Sequence, residues 1–229
     1  MDCKQKLLAA QIKKQHKPWQ AGQTLSLTAI LDSERCQTLL MECREFLDRI
    51  YTPAKTIFTF IRQVLNPDKS CKKAVSDVVA EHLVLHKEKI SSNTGPYCKA
   101  RQRLPEETVQ ALVKETGQMA SKQSLLSWKP YGRELKVFDG STAKMPDTEG
   151  NQSVYPQMKS QKKGIGFPIV RFVVVMSLTV GTVLDYAMGA YRGKGTGESS
   201  LLRSIFDCIV KEDIVLGDRY FPNFFCCVI

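Results

Sequence analysis

Near residue 120 the hydrophobic period of this chain changes from that of a helix to that of a strand. Upstream, apolar residues recur every three or four positions. In YTPAKTIFTFIRQVL (51–65), Pro53 falls in the first turn, where its missing N–H costs nothing, and Ile57, Phe60, Ile61, Val64 and Leu65 repeat along the helix. Ser70 is placed to cap SCKKAVSDVVAEHLVLHK (70–87), where Ala74, Val75, Val78, Val79 and Leu83 share a face. LPEETVQALVKETG (104–117) has Pro105 at its start, two acids in its first turn and Gly117 as the expected stop. MASKQSLLSWKPYGR (119–133) then breaks the pattern with Lys-Pro and Tyr-Gly pairs.

Beyond it the segments read as strands and one helix. LKVFDGS (135–141) is an expected strand, and GFPIVRFVVVMSLTVGTVLDYAMGAY (166–191) a long valine-rich hairpin turning at Gly181. GESSLLRSIFDCIV (197–210) is an expected helix, and DIVLGDRYF (213–221) a last strand expected to pair with the first. The fold class is therefore α/β, preceded by a small all-helical domain. The expected division is a basic N-terminal extension at 1–32, a helical domain at 33–120, a linker at 121–133 and the α/β region at 134–229.

With 43% hydrophobic and 24% charged residues, the 229-residue chain can bury a core and does not read as disordered. Its net charge of +10 is uneven: residues 1–130 carry 21 bases and 13 acids, residues 131–229 carry 12 and 10. A basic half beside a nearly neutral half suits a module for a polyanion, with a solvated basic surface as the plain alternative. Eight cysteines show no CxxC pair and follow no secretory signal, which fits reduced thiols in a cytoplasmic protein. FVVVMSLTVGTVL (172–184) is too short to span a bilayer as a helix, so no membrane partner is expected.

Asp139 ends the run LKVF and Asp218 follows DIVLG, so both acids fall at the carboxyl ends of strands, the edge where open α/β sheets bind ligands. If those strands are neighbours, the carboxylates face one crevice and offer the hard oxygens that Mg²⁺ or Mn²⁺ requires. The alternative is that each aspartate only caps a turn.

Three runs, VFDGSTAKMPDTEGNQSVYPQMKSQKKGIGFPIVR, TVLDYAMGAYRGKGTGESSLLR and DIVLGDRYF, together resemble the catalytic domain of IS4-family transposases. The upstream SSNTGPYCKARQRLPEE is similar to the segment preceding that domain in one branch of the family. The resemblance runs from about residue 35 onward. It implies an RNase H-like core with a DDE site that cuts double-stranded DNA at terminal inverted repeats and joins the 3′ hydroxyl to target DNA. Asp139 matches the first acid and Asp218 the second, both as catalytic residues and ligands of a two-metal Mg²⁺ or Mn²⁺ site. The family's Tyr-Arg-x-x-x-Glu-x-x-x-x-x-x-Lys signature, which carries the third acid, is absent. Glu198 and Glu212 do not match it.

The chain stops 11 residues after Asp218, inside the apolar run FPNFFCCVI, so residues 134–229 are expected to be the first part of a truncated catalytic domain. The expected protein is a DDE transposase, in truncated and catalytically defective form, located in the bacterial cytoplasm and at the nucleoid when bound to DNA. A homodimer or a mixed assembly with full-length transposase is the expected protein partner. Two rivals stay open: a non-catalytic DNA-binding fragment that inhibits full-length transposase, and a decayed remnant without a stable fold.

Further basic motifs carry readings of their own. TGPYCKARQRLP (94–105) spaces Lys99, Arg101 and Arg103 beside Tyr97, a source of phosphate contacts with an aromatic that could stack, or else a solvated helix start. GAYRGKGTGESS (189–200) lacks the Walker spacing; Arg192 and Lys194 precede a helix start and could touch a DNA phosphate, or the loop is a simple strand-to-helix connection. Lys162 and Lys163 sit before a Gly-x-Gly turn that feeds a strand, a DNA-facing loop or a plain turn, and Arg219 adjoins Asp218; these complete the expected DNA contacts. QIKKQHKPWQ (11–20) pairs positive side chains with Trp19, as a frayed basic terminus also would. His82 and His86 have the spacing of a metal pair without the acids of a zinc motif, and read as helix-edge histidines.

Overall fold

The computed structural model describes residues 33–43, 46, 49–162 and 164–218. The chain divides into two compact units, Met1–Arg103 and Leu104–Ile229.

The first unit is helical, and its helices start where the sequence places caps. Ser33 Oγ accepts the Cys36 amide at the start of α1 (Glu34–Met41). Thr52 Oγ1 accepts the Lys55 amide before α2 (Pro53–Leu65), with Pro53 in the first turn, and Ser70 Oγ accepts the Lys73 amide before α3 (Cys71–His86). A fourth helix, α4, spans Gly95–Gln102. Ala74, Val75 and Val78 of α3 join Tyr51, Tyr97 and Ala100 in one buried cluster.

The burial of α2 differs from its sequence pattern. Thr56 and Thr59 face inward, while Phe60, Val64 and Leu65 are 40%, 50% and 76% exposed. Each threonine hydroxyl donates to the carbonyl one turn back, at 2.7 Å for Thr52 and 2.6 Å for Lys55, so neither carries an unmet polar group into the interior. Lys55 and Arg62 of the same helix clasp Glu81 of α3 at 2.6 and 2.8 Å. The Lys55 hydrogen bond foremost holds the Glu81 carboxyl below its ordinary range.

The second unit begins with α5 (Glu106–Lys122) and continues with β1 (Leu135–Lys144), α6 (Glu149–Val154), β2 (Ile169–Ser177), β3 (Thr182–Ala190), α7 (Glu198–Ser204) and β4 (Ile214–Leu216). The sheet has the order β3-β2-β1-β4, with β1, β2 and β3 antiparallel in succession and β4 parallel to β1. The valine-rich segment is a hairpin, as its pattern predicts, and Gly181 takes a left-handed φ of 70° at its turn. Phe138, Val173 and Val175 pack on one face of the sheet with Leu201, Leu202, Ile205 and Ile209. Strand alternation sends Val137, Asp139 and Val174 to the other face.

Two expectations change here. Gly117 does not stop its helix, because α5 continues to Lys122 and packs on β3. A Cβ at Gly117 would collide with the Val183 carbonyl oxygen and crowd the Leu184 backbone, so glycine serves close approach there rather than termination. The compact units also part at Arg103 and Leu104, ahead of the expected 121–133 linker, so α5 packs with the sheet. An amphipathic pattern tells which side of a helix is buried, but not which neighbour covers it.

A carboxylate fastens the entry to β1. Glu134 Oε1 lies 2.7 Å from Lys129 Nζ and accepts from Ser124 Oγ at 3.3 Å. Burial pushes its pKa up, but hydrogen bonds from Lys129 and Thr179 outweigh that and hold the carboxyl below its ordinary value. Its contribution to stability is thus present above the unfolded value of about 4.3 and lost as pH falls through the lowered folded value. The Tm gap between wild type and Glu134→Gln should be open at pH 7 and should narrow as pH falls below about 4.3. A gap of constant size would show that the charge contributes nothing.

Candidate functional site

The last described strand pairs with the strand that carries Asp139 and stops two residues short of Asp218. β4 pairs with β1 in the register Leu135 to Ile214, Lys136 to Val215 and Val137 to Leu216. Continued by two residues beyond the paired ones, that register would set Phe138 beside Gly217 and Asp139 beside Asp218. Gly217 fits the first pairing, since a Cβ there would stand 2.5 Å from the Phe138 ring. Adjacent strands lie about 4.8 Å apart, and residues at one level of a ladder share a face. Asp139 and Asp218 are both exposed, and Asp139 Oδ1 accepts the Gly140 amide at 2.8 Å.

The second face-to-face relation concerns Glu198, which opens α7. Its carboxyl carbon would stand 2.6 Å from a Cβ on Gly140, and its Oε1 is 3.9 Å from Arg171 Nε. Gly140 neighbours Asp139 on β1, so the Cβ direction at Gly140 is on the opposite face from the Asp139 side chain. Glu198 therefore joins the Arg171 cluster. Arg171 Nη1 donates to Thr196 O at 3.1 Å and its guanidinium lies 4.8 Å from the centre of the Tyr191 ring.

Exposed carboxylates such as these suit a hard divalent cation as oxygen donors. Among the described residues, no group of three or more His, Cys, Asp or Glu side chains is gathered to hold a metal. His82 and His86 pack ring on ring at 4.5 Å, without such a group.

The basic residues separate into two kinds. Lys99, Lys162, Arg192 and Lys194 are exposed, whereas Arg101 and Arg103 are half-buried. The Arg101 guanidinium lies 4.5 Å from the Phe60 ring centre, and that of Arg103 5.3 Å from Phe46. Tyr97 corrects an expectation: it is fully buried, donates to Gln63 Oε1 at 2.7 Å and packs 5.5 Å from Tyr51. Its ring is core material and has no face free for a base. Lys163, Arg219 and the segment 11–20 lie outside the described residues. Cys36, Cys43, Cys71, Cys98 and Cys208 are free thiols. No helix among the described residues is long and apolar enough to cross a membrane.

A buried ion pair behind the aspartates escaped the sequence reading. Lys136 Nζ donates to Asp213 Oδ2 at 2.6 Å and to Cys208 O at 2.7 Å, with the side chains only 9% and 3% exposed. Asp213 Oδ2 also accepts the Val210 amide at 2.7 Å. The signal was available: Lys136 lies two residues before Phe138, and so on the apolar face of β1. On the same face, Asp185 of β3 is held by Lys114 at 2.9 Å and Gln110 at 3.0 Å, both from α5.

Among curated proteins, the chain is similar to one of Escherichia coli (strain K12) described as "Putative transposase InsZ", 28% identical over 123 residues that make up 53% of this chain and 40% of that protein. The chain thus spans less than half the length of that curated relative. No family model and no solved structure matches the chain.

Proposed function

We propose that this chain belongs to DNA transposition, as a transposase of the IS4 type with an RNase H-like DDE domain beginning at β1 and a helical unit that binds double-stranded DNA at terminal inverted repeats. The observation that supports this reading is the parallel pairing of β1 with β4, whose register, continued beyond Val137 and Leu216, would set Asp139 and Asp218 at one level. The similarity to the Escherichia coli protein described as a transposase supports it independently.

In the mechanism this implies, Asp139 and Asp218 would hold Mg²⁺ or Mn²⁺ by their exposed carboxylates. When bound, such a cation supplies Lewis acidity to a phosphodiester and its attacking oxygen. The Gly140 amide donates to Asp139 Oδ1 and so fixes the orientation of that carboxylate. Exposed Lys162, Arg192 and Lys194 contribute positive charge toward a DNA backbone. Target DNA would be the second nucleic-acid partner.

A DDE site uses three acids, and among the described residues no group of three is gathered. As a second reading we assign the chain DNA binding with defective cleavage. In that form it would occupy element ends, or join full-length transposase in inactive mixed assemblies, in the bacterial cytoplasm at the nucleoid.

The test uses a labelled duplex carrying the terminal repeat of the element that encodes the chain, with a scrambled duplex as control. Preferential retention of the repeat is expected, with Mn²⁺ binding, read by the electron spin resonance of free Mn²⁺, weakened in Asp139→Asn and Asp218→Asn. Equal retention of both duplexes would sink the end-binding reading. Strand transfer by this polypeptide alone would overturn the assignment of defective cleavage.

A further inference from the structure

Two thiols of the helical unit meet where α3 packs on α4. Cys71 is the first residue of α3, directly after the Ser70 cap, and Cys98 lies within α4; both are free and half-buried. Cys98 and Arg101 are three positions apart and so share a face of α4. Arg101 Nη1 donates to the Cys71 sulfur at 3.8 Å, which sets Cys71 against that face. A side-chain hydrogen bond joins the Cys98 thiol to Cys71, and after burial it is the next cause that pushes the Cys98 pKa up.

The polar groups around the Cys71 sulfur are turned to it as donors. Tyr97 Oη donates to Gln63 Oε1 at 2.7 Å, which leaves Gln63 Nε2 to donate to the sulfur at 3.6 Å. The Arg101 guanidinium adds a positive charge, and the N-terminal end of α3 adds a partial one. Reactive cysteines occupy electropositive, partly exposed surroundings of this kind, whereas cysteines enclosed by apolar groups are inert. Burial keeps the Cys98 thiol protonated at neutral pH, so it donates to Cys71 and does not compete with it as the attacking sulfur. The other cysteines offer a contrast: Cys36 and Cys43 are buried, and burial foremost pushes the Cys208 thiol up to about 11.

We propose that Cys71 and Cys98 are a redox pair, which a peroxide closes to a disulfide between α3 and α4. The Cys71 sulfur gives up its proton and attacks one peroxide oxygen, the O–O bond breaks, and the departing hydroxide takes up that proton as water. Cys71 is left as a sulfenic acid. The Cys98 sulfur then attacks the Cys71 sulfur, the S–O bond breaks, and hydroxide leaves with the Cys98 proton as a second water. Two thiols thus lose two electrons and two protons, and one hydrogen peroxide becomes two waters. The bridge fastens the first turn of α3 to the helix that carries Lys99 and Arg101.

The reduced full chain is treated with a small excess of hydrogen peroxide, alkylated, digested and mapped by mass spectrometry, with the same chain oxidised in urea as the reference for random pairing. A peptide pair joined at Cys71 and Cys98, short of two hydrogens and released by dithiothreitol, is expected as the dominant cross-link. Dimedone, which traps sulfenic acids, should label Cys71 in Cys98→Ser, where the second thiol is gone, and leave Cys98 unlabelled in Cys71→Ser. Cys71 and Cys98 that both still alkylate after peroxide, or cross-links distributed as in urea, would overturn the inference from the wild-type chain alone. Dimedone on Cys98 in place of Cys71 would overturn the assignment of Cys71 as the attacking sulfur.

Discussion

Replacing Lys136 by alanine is expected to lower the unfolding free energy by about 3–5 kcal/mol, the usual result of removing one partner from a buried ion pair. The substitution strands the Asp213 carboxylate, which is 3% exposed, and strips an acceptor bond from Cys208 O. Asp213→Ala should cost about as much by the same argument, since it leaves the ammonium of Lys136 uncompensated and removes the acceptor of the Val210 amide. The double variant Lys136→Met/Asp213→Leu removes both charges, and should recover most of either loss because the desolvation cost disappears with the attraction. Urea unfolding followed by tryptophan fluorescence measures all four proteins. Single-variant losses below about 1 kcal/mol would mean that the pair behaves as an exposed one.

Gly117→Ala should destabilise the protein by about 1–3 kcal/mol, the range for an overpacked interior. The sign is the informative part, because alanine in place of glycine inside a helix ordinarily gains about 1 kcal/mol. At Gly117 the added methyl meets the Val183 carbonyl oxygen and the Leu184 backbone, and a strand backbone cannot swing aside as a flexible side chain can. Gly150 in α6 is the internal control: nothing lies within 4 Å of a Cβ there. Gly150→Ala should leave thermal stability unchanged or raise it, while Gly117→Ala lowers it by several degrees, on the order of the 4–8 °C per kcal/mol seen in small domains. Equal shifts for the two would show that α5 does not press on β3.

Much of the framework was legible because local chemistry decides it. Thr52, Pro53 and Ser70 act at the helix starts where their side chains suggest, and the alternating valines with Gly181 make the expected hairpin. The pairing of the last strand with the first was also readable, as two short apolar runs each ending at an acid. Other features depend on what a residue meets across space. Gly117 looks like a helix stop until β3 is set against it. Thr56 and Thr59 look like the polar side of α2 until their hydroxyls are seen to bond within their own helix. Tyr97 looked like a stacking aromatic beside three cations, and proved to be part of the core. Periodicity reports a residue's side of an element and is silent on its neighbours in space.

The spacing of Asp213 and Asp218 has a consequence for how this chain tolerates insertions and deletions. Their numbers differ by five, an odd number, so with the first turned inward to Lys136, continued strand alternation would turn the second to the face that carries Asp139. Gaining or losing one residue between them would reverse the phase. If the ion pair held its place, Asp218 would point into the side occupied by Phe138, and if Asp218 held its place, Lys136 would lose its counter-charge. Changes of two residues preserve the phase and move the acid along the strand instead. Length variation in this short segment is therefore constrained by parity, even though β4 itself contributes only Ile214–Leu216 to the sheet.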